Sequence, residues 1–150
     1  MDWTRSPYIA AFFAFRAAAK PVQDKVSVFA FCERPNGMKS GDAEAEVRRL
    51  GPFVRTHRRH YLQQGEYTVC THWKEDVGWR LVSHEDVFSR DDATQEVVWK
   101  FNIPWSERVK ALKSLDDHNV NAFSLFESEE ALIETIALRR LTLERTPEEA

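Results

Sequence analysis

Two short stretches of the chain hold the residue types that could do chemistry. The first is Asp2-Trp3-Thr4-Arg5-Ser6-Pro7, which opens directly onto the apolar run Tyr8-Ile9-Ala10-Ala11-Phe12-Phe13-Ala14-Phe15. Ser followed by Pro is a helix start, with Ser6 as cap and Pro7 at the first helical position. Trp3, Thr4 and Ser6 therefore stand at a helix N-terminus, where open backbone N–H groups suit an anion or a polar ligand. The same residues also have a purely structural use: Asp2 and Thr4 satisfying backbone donors, Trp3 packed, Ser6 capping. The second stretch is the densest basic text, with Arg55, His57, Arg58, Arg59 and His60 running into Tyr61-Leu62-Gln63-Gln64-Gly65. Guanidinium forks match phosphate oxygens. The alternative is a solvated helix face beside an acidic surface.

Other chemistry finds little material. His57 and His60 share a helix face at i, i+3, yet no third ligand stands at a fitting spacing, so no metal site is expected. Cys70 and His72 share one face of a strand, and the two cysteines, Cys32 and Cys70, read as reduced core thiols. No nucleophile elbow, phosphate-binding glycine loop or zinc-protease motif is present, and five glycines leave little for a phosphate cradle. A net charge of −3 argues against a nucleic-acid-coating protein. The run from Tyr8 to Ala19 is too short to span a bilayer and Arg16 interrupts it, so the chain reads as cytoplasmic with no membrane partner. Catalytic residues, cofactor and oligomeric state do not follow from these residues.

The elements that would position the two stretches come from hydrophobic period and turn chemistry. The first helix is expected to run to Lys20-Pro21, with Tyr8, Phe12, Phe15 and Ala19 as a stripe that Ile9 and Phe13 widen. Val26–Cys32 reads as a central strand covered on both faces. Arg34-Pro35-Asn36-Gly37 is a turn, and Asp42 caps a short helix over Ala43–Leu50 that Gly51-Pro52 closes. Glu66–Thr71, Trp79–Val82 and Glu96–Ile103 read as strands, with a helical turn at Ser83-His84-Glu85-Asp86 and a loop at Asp91-Asp92. Ser106 caps a helix with Val109, Leu112 and Leu115 on one face, ending near His118-Asn119. A loop from Asn119 to Phe126 then leads to Ser128, which caps the last helix. There Leu132, Ile133, Ile136, Ala137 and Leu141 form a stripe, with Glu129 and Glu130 at one end and Arg139 and Arg140 at the other. The sum is a single α+β domain over residues 1–145, a mixed or mainly antiparallel sheet of about four strands with about four to five helices, and a polar tail at 146–150.

Set in that order, the text resembles a known family. Asp2-Trp3-Thr4-Arg5-Ser6-Pro7 followed by Ala10-Ala11-Phe12-Phe13-Ala14 is similar to the central signature of FRG domains, a Leu-Asp-Trp-Thr-x-Ser-Pro run entering a helix that ends in Tyr/Phe-Phe-Ala. Arg59, Gln63, Gly65 and Tyr67 match the family's Arg-x-x-x-Gln-x-Gly-x-Phe pattern. Ile103-Pro104, the helix around Leu112–Leu115, and Asn119-Val120-Asn121 through Ser124-Leu125-Phe126 look like its C-terminal Ile-Pro, helix, Ser-Leu-Phe region. The family's upstream Phe-Arg-Gly and His-x-Gly…Thr-Arg segments do not occur, and Glu127 stands where the family has Pro after Leu-Phe. The resemblance thus implies the C-terminal portion of an FRG-like domain, from a truncated gene product or a mis-assigned start.

Such a family has no agreed biochemical activity, so the resemblance implies a ligand-binding module rather than a reaction. The expected ligand is a small anion or nucleotide. Asp2, Trp3, Thr4 and Ser6 at the helix mouth are the expected binding residues, with Arg59 as the cationic fork and Gln63 and Thr4 fixing orientation. Two alternatives remain. One is an NAD-using enzyme like the ADP-ribosyltransferases, inactive if truncated, because the family's Phe-Arg-Gly strand is similar to their arginine strand. The other is a nucleic-acid-binding protein working through Arg55–His60, against which the acidic balance counts.

Overall fold

A computed structural model describes residues 1–35, 37, 45–50, 57–88 and 96–143. The fold is α+β, with antiparallel strand pairs and helices in place of one repeated motif. Packing divides it into two compact units: Met1–Trp3, Phe29–Arg55 and Glu66–Phe101 form one; Thr4–Val28, Thr56–Gly65 and Asn102–Ala150 form the other. Among the described residues no helix is long and apolar enough to cross a membrane.

The first unit is built on a four-stranded sheet. Its middle strand is β4 (Gly65–Lys74), with β3 (Ala45–Arg49) along one edge and β1 (Asp2–Thr4) and β5 (Gly78–Val82) pairing along the other. Register follows from side-chain alternation: Val47 pairs with Cys70 and Cys70 with Val82, so these three point to one face. There Ala45, Val47, Cys70 and Val87 form a buried cluster with Phe31, Val82 and Phe88 against it. Trp73 and Trp79, paired across β4 and β5, stand exposed on the opposite face. The tight turn between these strands needs a positive φ at Gly78, +79°, which glycine supplies without strain.

One expected helix is absent. Ala45–Arg49 lies where a helix over Ala43–Leu50 was expected, because Ala45 and Val47 face the core and Glu46 and Arg48 face away, a period of two that a strand satisfies. Asp42 and Gly51-Pro52, the expected cap and stop, lie outside the described residues. So do Asn36 of the expected turn, Arg55 of the basic stretch, the Asp91-Asp92 loop and the 146–150 tail. The short helix α3 (His84–Phe88) follows β5 as read. β2 (Lys25–Cys32) pairs with β6 (Val97–Pro104) in a two-stranded sheet, not at the centre of a larger one. Phe29 is exposed and Val26 buried, so the apolar run in β2 is not covered on both faces.

The second unit is helical. α1 (Pro7–Arg16) starts as read: the Ile9 N–H donates to Ser6 Oγ at 3.3 Å and Pro7 takes the first turn. It ends at Arg16, short of Lys20, because Ala17 leaves helical geometry and Arg108 Nε donates to the carbonyls of Phe15 and Ala17 at 3.0 and 3.1 Å. Only one face is buried, Ile9, Phe12 and Phe15; Tyr8 and Phe13 are exposed. These three pack with Val26, Leu112, Leu115, Ala122, Leu125 and Ala131. Each fully buried side chain of this size contributes roughly 1.5–3 kcal/mol.

After Pro104 a single 3-10 turn, Trp105–Glu107, precedes α4 (Arg108–Asp117). Ser106 lies inside that turn and does not cap α4, which starts without a side-chain cap. The Trp105 N–H is already committed to the Asp24 carbonyl at 2.8 Å and its ring packs on Phe15. Leu112 and Leu115 are buried as the stripe implied, whereas Val109 is exposed. The expected loop after Asn119 contains a helix, α5 (Ala122–Phe126). A reciprocal capping box starts it: the Ser124 N–H donates to Asn121 Oδ1 at 3.0 Å and the Asn121 N–H to Ser124 Oγ at 3.1 Å. Ser128 caps α6 (Glu129–Leu138) as read, and a π-turn, Arg139–Leu143, follows. The buried residues of α6 are Ala131 and Thr135, not the Leu132, Ile133, Ile136 and Leu141 stripe, which is exposed. α5 comes so close that the Phe123 N–H donates to Thr135 Oγ1 at 2.9 Å.

Candidate functional site

Four of the expected site residues, Thr4, Ser6, Arg59 and Gln63, meet in the second unit. Thr4 and Ser6 lead into α1, and Arg59 lies in α2 (Arg58–Leu62), a short helix that Gln63 ends. His57 caps it, its Nδ1 accepting the Arg59 N–H at 3.2 Å, which requires the ring proton on Nε2 when the ring is neutral. The end of α2 is fastened by two bonds to the residues before α1, and a third bond within those residues holds them. Thr4 Oγ1 donates to the Gln63 carbonyl at 2.8 Å and accepts the Ser6 N–H at 3.1 Å. The Arg5 N–H donates to the Gln64 carbonyl at 3.1 Å, and Gln64 takes a positive φ of 49° to present it. Gln63 Nε2 in turn donates to the Leu125 carbonyl at 3.1 Å, tying α2 to α5.

This bonding sorts the four by what they have left to offer. Thr4 and Ser6 spend their hydroxyls on the scaffold, and Gln63 spends its amide N–H. Arg59 differs. Its guanidinium is exposed, lies 5.3 Å from the centre of the Phe126 ring, and makes no hydrogen bond among the described residues. The neighbouring Arg58 is instead committed to Glu127, through Nη2 to Oε1 at 3.0 Å and Nε to Oε2 at 2.8 Å. Arg16 stands 4.5 Å over the same Phe126 ring but is forked onto Glu134 at 2.7 Å on both prongs, which raises its guanidinium above its ordinary value. Glu130 has its carboxyl lowered first by its own backbone N–H, then by Ser128, with Arg59's charge a lesser cause. The basic stretch thus borders acidic residues, and its two described arginines do different work.

Asp2 and Trp3 belong to the first unit. Asp2 is exposed. Trp3 Nε1 donates to Thr68 Oγ1 at 2.8 Å, and Thr68 Oγ1 lies 2.9 Å from His84 Nε2. With one lone pair taken by the indole, the Thr68 hydroxyl still has a proton and a second lone pair, so it donates to His84 Nε2 when that nitrogen is bare and accepts from it when it carries a proton. Burial, followed by the positive Met1 amino group, lowers the His84 pKa from its ordinary value, in keeping with a neutral ring. The Met1 nitrogen itself donates to the Thr68 carbonyl at 2.8 Å.

Sequence reasoning passed over Thr68, His84 and Phe126 as site neighbours. Thr68 is an inward residue of an alternating strand, and its fully buried hydroxyl is the only hint. Cys70 is buried in the core as read, and Cys32 is half-buried; both are free thiols. Among the described residues no group of three or more His, Cys, Asp or Glu could hold a metal ion. Glu127 has a φ of +48°. A proline ring holds φ near −65°, so Pro does not fit the chain path here. Compared with protein families, with curated proteins and with solved structures, the chain matches none of them.

Proposed function

We propose that this chain is a cytoplasmic FRG-like binding module whose second unit takes a small anionic ligand of the nucleotide class, with Arg59 as its cation. The observation that carries the proposal is the exposed Arg59 guanidinium, resting over Phe126 with no hydrogen bond among the described residues. A phosphate group offers the bidentate acceptor that such a fork lacks. Thr4, Ser6 and Gln63 support the site by fixing α2, so that Arg59 starts from a held helix and loses less freedom on binding. Thr4 and Gln63 are positioning residues in this scheme. The ordered agreement of Asp2–Pro7, of Arg59, Gln63, Gly65 and Tyr67, and of Ser124-Leu125-Phe126 with the FRG pattern supports the family assignment.

Titration calorimetry with inorganic pyrophosphate, ATP and NAD tests it. The parent protein is expected to bind at least one of these, and Arg59→Ala to bind it about tenfold or more weakly, as loss of a charge-assisted hydrogen bond implies. Equal affinity of a folded Arg59→Ala protein, or no binding of any of the three by the parent, rejects the proposal.

A further inference from the structure

The Phe126 ring beside Arg59 is shared with a second guanidinium. Arg16, at the end of α1, has its guanidinium carbon 4.5 Å from the centre of that ring, and Arg59, on α2, has its own 5.3 Å from the same point. The two carbons therefore lie no further apart than the sum of those distances. Both helices are anchored where they deliver these side chains. One turn before Arg16, Phe13 meets Phe126 edge to face with ring centres 5.9 Å apart, and Gln63 ties the end of α2 to the Leu125 carbonyl at 3.1 Å. All of these residues, with Glu134, belong to the second unit.

Glu134 occupies only one edge of Arg16. Its carboxylate takes Nε and Nη2, at 2.7 Å each, which is the side-on edge of the planar guanidinium. The end-on edge, Nη1 with the outer hydrogen of Nη2, makes no hydrogen bond among the described residues, and the side chain is 37% exposed. Arg59 presents an open fork as well. We infer that Arg16 is the second cation of the Arg59 site and that the two forks together hold a diphosphate, one phosphoryl group on each. This rests on Arg59 being a phosphate-binding cation. The supply of donors selects the ligand: an open fork presents two N–H groups in one plane, which match two oxygens of one phosphoryl group. Two open forks call for two phosphoryl groups, and their shared ring keeps both within reach of one ligand. A monophosphate satisfies one fork and leaves the other to water. Because both arginines start from held helices, little freedom is lost when the ligand bridges them.

Titration calorimetry with inorganic phosphate, pyrophosphate and ADP tests this. The parent protein is expected to bind pyrophosphate about tenfold or more tightly than phosphate. Arg16→Ala is expected to weaken pyrophosphate binding about tenfold and to leave phosphate binding unchanged, whereas Arg59→Ala weakens both. Arg16→Ala also gives up the ion pair with Glu134, so Arg16→Lys, which keeps the charge and loses the fork, is the second variant. It is expected to weaken pyrophosphate binding with the melting curve unchanged. Arg58→Gln removes an equal charge from α2 and is expected to keep the preference for pyrophosphate, because Arg58 is spent on Glu127. ADP bound as tightly as pyrophosphate assigns the diphosphate to a nucleotide, and pyrophosphate bound alone assigns it to the free anion. A parent without preference for pyrophosphate over phosphate, or Arg59-dependent binding indifferent to both Arg16 variants, overturns this inference and leaves the Arg59 site standing. Absence of binding to all three rejects both.

Discussion

The hydroxyl of Thr4 donates to the carbonyl of Gln63 at 2.8 Å, joining residues 59 positions apart and fastening the C-terminal end of α2 to the lead-in of α1. The same oxygen accepts the Ser6 N–H at 3.1 Å, so one side chain serves both an orphan carbonyl and an orphan donor. Thr4→Val keeps the shape and removes both bonds. It is expected to cost about 1–3 kcal/mol, the penalty for two backbone groups left without partners. Urea denaturation measures it, and a cost near zero would show that water replaces the hydroxyl.

α5 owes its existence to Asn121. Its Oδ1 caps the helix and its Nδ2 donates to Asp116 Oδ1 at 2.9 Å, while Asp116 also holds Arg139. Arg139 first, and Asn121 after it, lower the Asp116 carboxyl pKa. Asn121→Ala is expected to destabilise by about 1–2 kcal/mol, the usual loss of a cap. Asn121→Asp should recover the capping bond but set a second carboxylate beside Asp116, leaving it less stable than the parent in thermal melts at neutral pH.

Glu127 ends α5 in the left-handed region. Glu127→Pro is expected to cost about 3 kcal/mol or more, because the ring cannot reach a positive φ. Glu127→Gly relieves about 1 kcal/mol of backbone strain and gives up the exposed ion pair with Arg58, worth at most about 1 kcal/mol, for a change near zero. Denaturant midpoints of the two variants should differ widely. Similar midpoints would mean that the turn rebuilds itself around proline.

His84 makes the first unit sensitive to acid. Its folded pKa lies below the ordinary 6.5, so the unfolded chain takes up the proton more readily. Stability contributed by the neutral ring is therefore fully present above about pH 6.5 and is lost as pH falls through the folded value. Protonation also puts a proton on Nε2, so the Thr68 hydroxyl can then only accept across that contact. His84→Gln, which keeps a hydrogen-bonding side chain without the titration, should flatten the stability profile between pH 7 and pH 5. An unchanged slope in that variant would assign the acid sensitivity to other groups.

Local signals were legible wherever the neighbours in sequence are also the neighbours in space. Ser6-Pro7 and Ser128 cap the helices they precede, Trp79–Val82 and Glu66–Thr71 are strands, and Leu112 and Leu115 are core. The α+β class follows from those elements. Errors arose where two patterns compete over a short span. Ala45–Arg49 can satisfy a helix or a strand, and pairing with β4 decides for the strand.

The sequence by itself determined which runs are apolar and that Ser6 and Ser128 cap the helices they precede, and it singled out Asp2, Trp3, Thr4, Ser6, Arg59 and Gln63 as the residues to follow. Only the tertiary structure decided what each does. Thr4 and Ser6 are consumed by backbone groups, and Gln63 is tied to Leu125, while Arg59 keeps an exposed guanidinium over Phe126. The reason is that a hydrogen-bonding side chain serves whichever partner lies closest in space, and those partners lie far away along the chain. The α6 stripe follows the same rule: its period marks one apolar face, but the close approach of α5 on Ala131 and Thr135 leaves that face turned outward.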